Sequence, residues 1–460
     1  MDAAAPLDID PLLDDPKTRI VVCCGSGGVG KTTTAAALGL RAAERGRKVV
    51  VLTIDPARRL AQSMGIDSLD NTPRRVKGVD GDGELHAMML DMKRTFDEIV
   101  EAHADPERAR AILSNPFYQS LSAGFAGTQE YMAMEKLGQL RARDAWDLII
   151  VDTPPSRSAL DFLDAPKRLG SFLDGKFIRL LMAPAKMGGR AGMKFLNVGM
   201  SMMTGTLGKL LGGQLLRDVQ TFVAAMDTMF GGFRTRADAT YRLLQAPGTA
   251  FLVVAAPERD ALREAAYFVE RLAADSMPLA GLVLNRVHGS GAARLSAERA
   301  LAAAEHLEEG PGEGPGEGSG EGPGESPGEH PPGENPSGEN LVDGRIVDQG
   351  PGKAEDRGTG GSSPEAPSAL SPTGPEDEDG GPEDQDGVSV DRLTAGLLRL
   401  HAERMQVLAR EQRTRDRFTA LHPEVPVAEV AALPGDVHDL AGLRAIGERL
   451  AAQEEQAGAL

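Results

Sequence analysis

Cysteine is almost absent from this 460-residue sequence. The only two, Cys23 and Cys24, are adjacent. Neighbouring cysteines cannot form an ordinary disulfide, so no disulfide framework is expected, and there are too few thiols for an iron–sulfur cluster. Aromatic residues are scarce too, at 4% with one Trp, which leaves Leu, Val, Ala and Met to pack the core. No uninterrupted apolar run reaches the roughly 18 residues that span a bilayer. The opening residues, MDAAAPLDIDPLLDDPK, contain neither the basic region nor the apolar stretch of a secretory leader. A flexible, acidic N-terminus over residues 1–17 and a cytoplasmic location are expected.

Basic charge is missing from one long segment. Residues 308–386 hold 21 acidic side chains against Arg345, Lys353 and Arg357, which accounts for the whole net charge of −18 and leaves the rest formally neutral. No net basic face is therefore expected, and with it no nucleic-acid partner. Within residues 308–389, Glu313, Glu317, Glu321, Glu325 and Glu329 recur every fourth residue in Gly/Pro/Glu units, and PEDEDGGPEDQDG follows. Such a composition cannot offset chain entropy by burial, so a disordered acidic linker is expected here.

What is present begins at residue 20. An apolar β-branched run, Arg19 to Cys24, enters Gly25-Ser26-Gly27-Gly28-Val29-Gly30-Lys31-Thr32-Thr33, and an Ala-rich helix ending at Gly46 follows. The spacing G-x-x-x-x-G-K-T between a strand and a helix is a phosphate-binding loop. Its glycines let successive N–H groups face a phosphate, and the helix adds its positive N-terminal end. Lys31 would reach the β- and γ-phosphates, and the Thr32 hydroxyl would ligate Mg²⁺.

Further strands are expected at Lys48 to Ile54, Glu84 to Leu90, Trp146 to Val151, Ala250 to Ala255, Leu279 to Val287 and Val425 to Val430, with helices between them at 93–104, 258–274, 390–418 and 441–451. Strand–helix–strand alternation gives an α/β fold with a mostly parallel, doubly wound sheet. The core is expected over 18–157, 246–307 and 390–453, interrupted by a helical subdomain at 158–245 and by the acidic linker. Asp55 and Asp152 each follow a strand, at the sheet end where ligands sit. Asp152 would join Thr32 on Mg²⁺, and Asp55 would orient the attacking water of a phosphoanhydride hydrolysis.

The motifs GSGGVGKTT, TIDPARRL, VDTPPSRSALDFL, APERDALREA, VLNRV and ALPGDV occur in an order that resembles the ArsA-type ATPases. That family includes arsenite-pump ATPases and the ATPases that target tail-anchored membrane proteins. The resemblance implies ATP and Mg²⁺ as cofactors, Asp55 in switch I, Asp152 in switch II, and Asn285 and Pro434 at the adenine ring. It also implies an ATP-closed dimer. The chain departs from the family at Ser26, where a lysine usually crosses the dimer interface to the partner's phosphates. A heterodimer with a lysine-bearing paralogue would supply that charge, and a substitute from Arg58, Arg59 or Arg157 is the alternative to a homodimer without it.

Eight of the 17 methionines fall between Met182 and Met229. Flexible, polarizable methionine suits a groove for varied hydrophobic partners. Val219, Phe222, Val223, Met226, Met229, Phe230 and Phe233 share one helical face, which either packs internally or lines that groove. An ATP-driven switch for hydrophobic protein segments is the leading reading. Alternatives are the ATPase subunit of an anion efflux pump, a MinD- or ParA-like positioning ATPase, and a non-hydrolysing regulatory subunit that binds ATP to assemble. Arsenite itself would need thiolates away from the phosphate loop, and the zinc-binding Cys-x-x-Cys of some family members is absent. A membrane-bound positioner would want a basic amphipathic C-terminus, whereas Leu440, Leu443, Ile446 and Leu450 lead into Glu454 and Glu455.

Overall fold

The computed structural model describes residues 5–54, 58–121, 128–154, 222, 232, 235–309 and 385–452. Most of the Met-rich region 182–229 and residues 310–384 of the acidic linker lie outside the described residues, as do Asp55 and Arg157; of the expected apolar face, Phe222 is described and is buried in the core. The chain divides into two units, one of residues 1–297 and 401–460, the other of residues 298–400.

The first unit is built on an eight-stranded sheet. Its strands are β1 (Ile20–Cys24), β2 (Lys48–Thr53), β3 (Arg74–Arg75), β4 (Glu84–Met89), β5 (Leu148–Asp152), β6 (Thr249–Ala255), β7 (Leu279–Val287) and β8 (Val427–Ala431). They lie in the order β3-β4-β2-β5-β1-β6-β7-β8. Every pairing is parallel except β3 with β4. The chain leaves β1 in one direction for β2 and later crosses back past β1 to β6, so the carboxyl end of β1 is a point where strand order reverses. The expected doubly wound α/β sheet is present, and the two-residue β3 is an addition to it.

β1, β5 and β6 are buried at every position, as central strands covered on both faces require. Alternate side chains divide between two apolar layers. Ile20 and Val22 join Ile99 and Val100 of α4 (Met92–His103), Tyr131 and Leu137 of α7 (Thr128–Ala142) and Phe268 of α8 (Arg259–Ala274). Val21 and Cys23 join the alanines of α2 (Lys31–Glu44) and Leu443, Ile446 and Leu450 of α11 (Leu440–Ala451). Full burial of one such Leu or Ile contributes about 1.5–3 kcal/mol, and Arg444 of α11 adds bonds to Glu44 at 2.6 Å and the Gly78 carbonyl at 2.7 Å. Short helices α3 (Arg58–Ser63), α5 (Pro106–Leu113) and α6 (Pro116–Leu121) also precede β5.

The segment before β1 corrects the expectation of a flexible tail. Residues 9–14 form α1 (Ile9–Asp14), capped by the Asp8 side chain, which accepts from the Asp10 amide. Ile9 and Leu13 are fully buried. Arg41 of α2 donates to both carboxylate oxygens of Asp10 at 2.5 and 2.6 Å, and Arg45 forks onto Asp14. These guanidiniums hold both carboxyls below the usual carboxylate range. Pro6 bridges to Val427 in parallel, Leu7 N–H donates to the Val427 carbonyl and Val427 N–H to that of Ala5. The acidic cluster is thus a clasp between the two ends of the chain and α2. Arg47 secures its base, donating to the carbonyls of Leu13, Thr18 and Asp147 at 2.6–2.7 Å.

α9 (Ala297–Glu309) runs past the expected start of the linker, and α10 (Gln385–Leu421), whose first part to residue 400 belongs to the second unit, begins before its expected end at 389. Among the described residues, no helix is long and apolar enough to cross a membrane.

Candidate nucleotide site

The candidate loop follows β1 as the sequence requires. Gly25 has φ +148°, and a Cβ there would lie 2.1 Å from the Val254 carbonyl oxygen, so any side chain would collide with β6. Gly30 caps α2 in the left-handed region, φ 96°, and no side chain caps the helix. The first-turn amides at Lys31, Thr32 and Thr33 therefore belong to an uncapped 14-residue helix whose dipole favours an anion. Gly27 and Gly28 are exposed, Ser26 is half-buried, and Val29 anchors the loop in the core.

Lys31 is buried, with its ammonium donating to the Ser26 carbonyl at 2.8 Å. The charge is held against the loop's own backbone. Thr32 Oγ1 donates to Asp152 Oδ2 at 2.7 Å, and Thr53 Oγ1 donates to the same oxygen at 2.9 Å. Asp152 is fully buried at the end of β5, directly opposite Thr53 on β2 and Cys23 on β1. Two strand registers and the helix start thus converge on one carboxylate. Mg²⁺ is bound by oxygen ligands, one or two from protein with the rest from phosphate and water. The Thr32 hydroxyl and Asp152 carboxylate are such a pair, so the donor set fits the ion. No cluster of three or more His, Cys, Asp or Glu able to hold a metal occurs among the described residues.

Asn285, expected at an adenine ring, is buried beneath the loop, where Nδ2 donates to the Val29 carbonyl at 2.9 Å. A Cβ on Gly30 would come within 2.2 Å of that nitrogen, so the glycine is also what lets Asn285 approach. The next residue, Arg286, has φ 61°, and the β7–β8 register shifts beside it. Pro434 lies exposed in the loop after β8.

Asp55 lies outside the described residues, and so do the side chains of Arg58 and Arg59, but the residue before Asp55 is held firmly. The Ile54 amide donates to the Asp152 carbonyl at 3.0 Å, and Gln129 Nε2 donates to the Ile54 carbonyl at 3.0 Å. Thr153 adds a hydroxyl bond to the Cys23 carbonyl at 2.9 Å. Gln129, Thr53 and Thr153 are positioning groups that sequence reasoning missed; only Thr53 and Thr153 carried a signal, as neighbours of strand-end acids. Further along α7, Glu135 is buried and takes Arg236 Nε on both oxygens at 2.9 and 3.0 Å, while Tyr131 donates its hydroxyl to it. Burial first, and Glu135 second, push the Tyr131 phenol up.

Both cysteines are buried and chemically quiet. Burial raises the Cys24 thiol to about 12 and the Cys23 thiol well above its ordinary value, with the Asp152 carboxylate adding to the latter. Neither is a nucleophile or a metal ligand at neutral pH.

Residues 18–294 match the ArsA ATPase family profile, described as "Anion-transporting ATPase". A protein of Malassezia globosa named ATPase GET3 is 30% identical over 169 residues, 37% of this chain and 49% of that protein, so the match spans about half its length. ATPase GET3 of Podospora anserina is 25% identical over 62% of this chain and 78% of its own. ATPase ASNA1 homolog 2 of Paramecium tetraurelia is 25% identical over 60% and 78%, respectively.

Proposed function

The chain belongs to the ArsA family of anion-transporting ATPases, and from that membership we propose that it is a Mg²⁺-dependent ATP hydrolase acting as a dimeric switch for hydrophobic protein segments. The observation that carries this reading is the meeting of Thr32 with Asp152 at 2.7 Å beside a glycine-shaped, uncapped helix start. Its chemistry needs positioning and charge stabilisation, with little covalent work from the protein.

In this reading the backbone N–H groups of 27–32 take the β-phosphate, and Lys31 exchanges the Ser26 carbonyl for phosphate oxygens. Thr32 and Asp152 would hold Mg²⁺, and the ion would supply charge neutralisation for the phosphates. Thr53 keeps the Asp152 carboxylate turned toward Thr32. Asp55 accepts from the attacking water, and Gln129, through the Ile54 carbonyl, fixes the backbone that presents it. Asn285 and Pro434 flank the adenine, Asn285 through the face of its amide left beside the Val29 carbonyl.

The dimer is the second part of the proposal. Ser26 carries no charge to place in a neighbouring site, so the preferred assembly is a heterodimer in which a lysine-bearing paralogue completes this chain's site. The clients would meet the Met-rich region 182–229, in the cytoplasm. The test is ATPase activity of the isolated chain compared with the chain plus any paralogue captured from native cytosol. Turnover rising only with the paralogue is expected, and robust turnover by the isolated chain would overturn the heterodimer. Asp55→Asn should keep nucleotide and stop hydrolysis; a normal rate would move the water-positioning role elsewhere.

A further inference from the structure

The second unit exposes an apolar stripe. On α10, Val390, Leu393, Leu397 and Leu400 are 59%, 66%, 59% and 63% exposed. They recur at intervals of three, four and three, which places them in one line along a helix. Ala395, on the opposite side of the same turns, is fully buried. Arg399 donates to Glu308 of α9 at 2.5 Å, away from the stripe. Four large apolar side chains in a row in water mark a contact surface.

The size of the stripe bears on what covers it. Four side chains on one line are a small patch beside the ~1,200 Å² that a specific, stable protein pair buries. A tethered segment needs less area, because linkage to the same chain gives it an effective concentration near the millimolar range. The chain supplies one such segment. Residues 310–384 contain five large aliphatic side chains, and four of them, Leu341, Val342, Ile346 and Val347, fall within seven residues.

We propose that residues 341–347 dock on the Val390–Leu393–Leu397–Leu400 face of α10 in the same molecule. Val347 and Gln385 are 38 positions apart, and a chain of that length reaches up to about 130 Å. The stripe begins five residues into α10, so the segment reaches it easily. Glu339, Asp343 and Asp348 outnumber Arg345 around the segment, and Arg392, next to Leu393 on the stripe, offers them a cation, whereas Arg399 is taken up by Glu308. Docking withdraws the leucines from water and leaves the Gly/Pro/Glu repeats on either side free of contact with α10.

The test uses the full chain and relies on both native cysteines being buried. Ile346→Cys with Leu397→Cys is oxidised mildly and compared with Ser362→Cys with Leu397→Cys, whose tether is shorter. Docking predicts at least tenfold faster disulfide formation at 346, despite the longer tether, and a bridge within one molecule when ¹⁴N- and ¹⁵N-labelled chains are mixed. Equal or slower formation at 346 would overturn the proposal, and so would a mixed-isotope bridge, which would assign the stripe to a second copy. As an independent measure, Ile346→Asp with Val347→Asp should raise the labelling rate of a lone Leu397→Cys thiol severalfold; no change would also overturn it.

Discussion

The hydroxyl of Thr32 sits 2.7 Å from a carboxylate oxygen of Asp152, although 120 residues separate them in sequence. The contact joins the start of α2 to the end of β5, and it is where hydrolysis would gain its metal.

Asp152→Asn should therefore reduce the Mg²⁺ dependence of nucleotide affinity. Titration of a fluorescent ATP analogue with and without Mg²⁺ is expected to show a loss of about tenfold or more, ~1.4 kcal/mol, in the metal-containing arm. Affinity without metal should change little, since the loop amides and Lys31 are untouched.

Asn285→Ala removes the amide that supports Val29 from below. A buried carbonyl left without its donor costs about 1–3 kcal/mol, and a slack loop would weaken any phosphate chain equally. Affinity for inorganic tripolyphosphate should fall through the slackened loop, and affinity for ATP should fall further, in calorimetry. Equal losses for the two ligands would remove Asn285 from the adenine.

Ser26→Lys restores a cation at the loop's half-buried tip. If the missing charge limits the isolated chain, turnover should rise by roughly two or more powers of ten, in a manner that depends on protein concentration. An unchanged rate across a concentration series would show that position 26 does not limit hydrolysis.

The buried thiols predict an alkaline weakness. Cys24 ionises near 9.0 in an unfolded chain and at about 12 when folded, so its contribution is fully present below pH 9 and is lost as pH rises toward 12. Urea midpoints should fall over that window. Cys24→Ala should make the decline shallower at the cost of a small cavity. Below pH 9 the native protein should resist thiol reagents.

Leu13→Ala tests the N-terminal clasp. Leu13 is fully buried, and truncating a buried leucine typically costs about 2–5 kcal/mol; a floating tail would cost nothing. Denaturant unfolding distinguishes the two. Because Arg41 and Arg45 hold the Asp10 and Asp14 carboxyls low, the clasp's ionic contribution is present above pH 3.8 and fades as pH falls below it.

The sheet was legible because its central strands are unbroken apolar runs. LIIV and VVCC admit no other reading beside a glycine loop, and α8 shows its buried face at helical spacing. α1 was not legible, since DIDPLLDD offers only Ile9, Leu12 and Leu13 between acids and a proline, and its ion pairs come from Arg41 and Arg45, 31 residues away. β3 is two exposed arginines given strand form by pairing with β4. At the site, Lys31, Thr32 and Asp152 follow from local motifs. The bond from Asn285 to Val29 spans 256 residues and arises from strand register, while the reach of Gln129 to Ile54 depends on how α7 packs, which no local pattern encodes.

The bridge from Pro6 to Val427 also determines how this sheet can meet other molecules. β8 would otherwise offer an open row of backbone groups, and the strand beside it now presents a proline, which has no N–H to donate. The opposite margin ends in β3, too short and too charged to template a further strand. Among the described residues, Pro6 at Val427 and the short β3 along β4 thus each occupy part of a margin where a further strand could add.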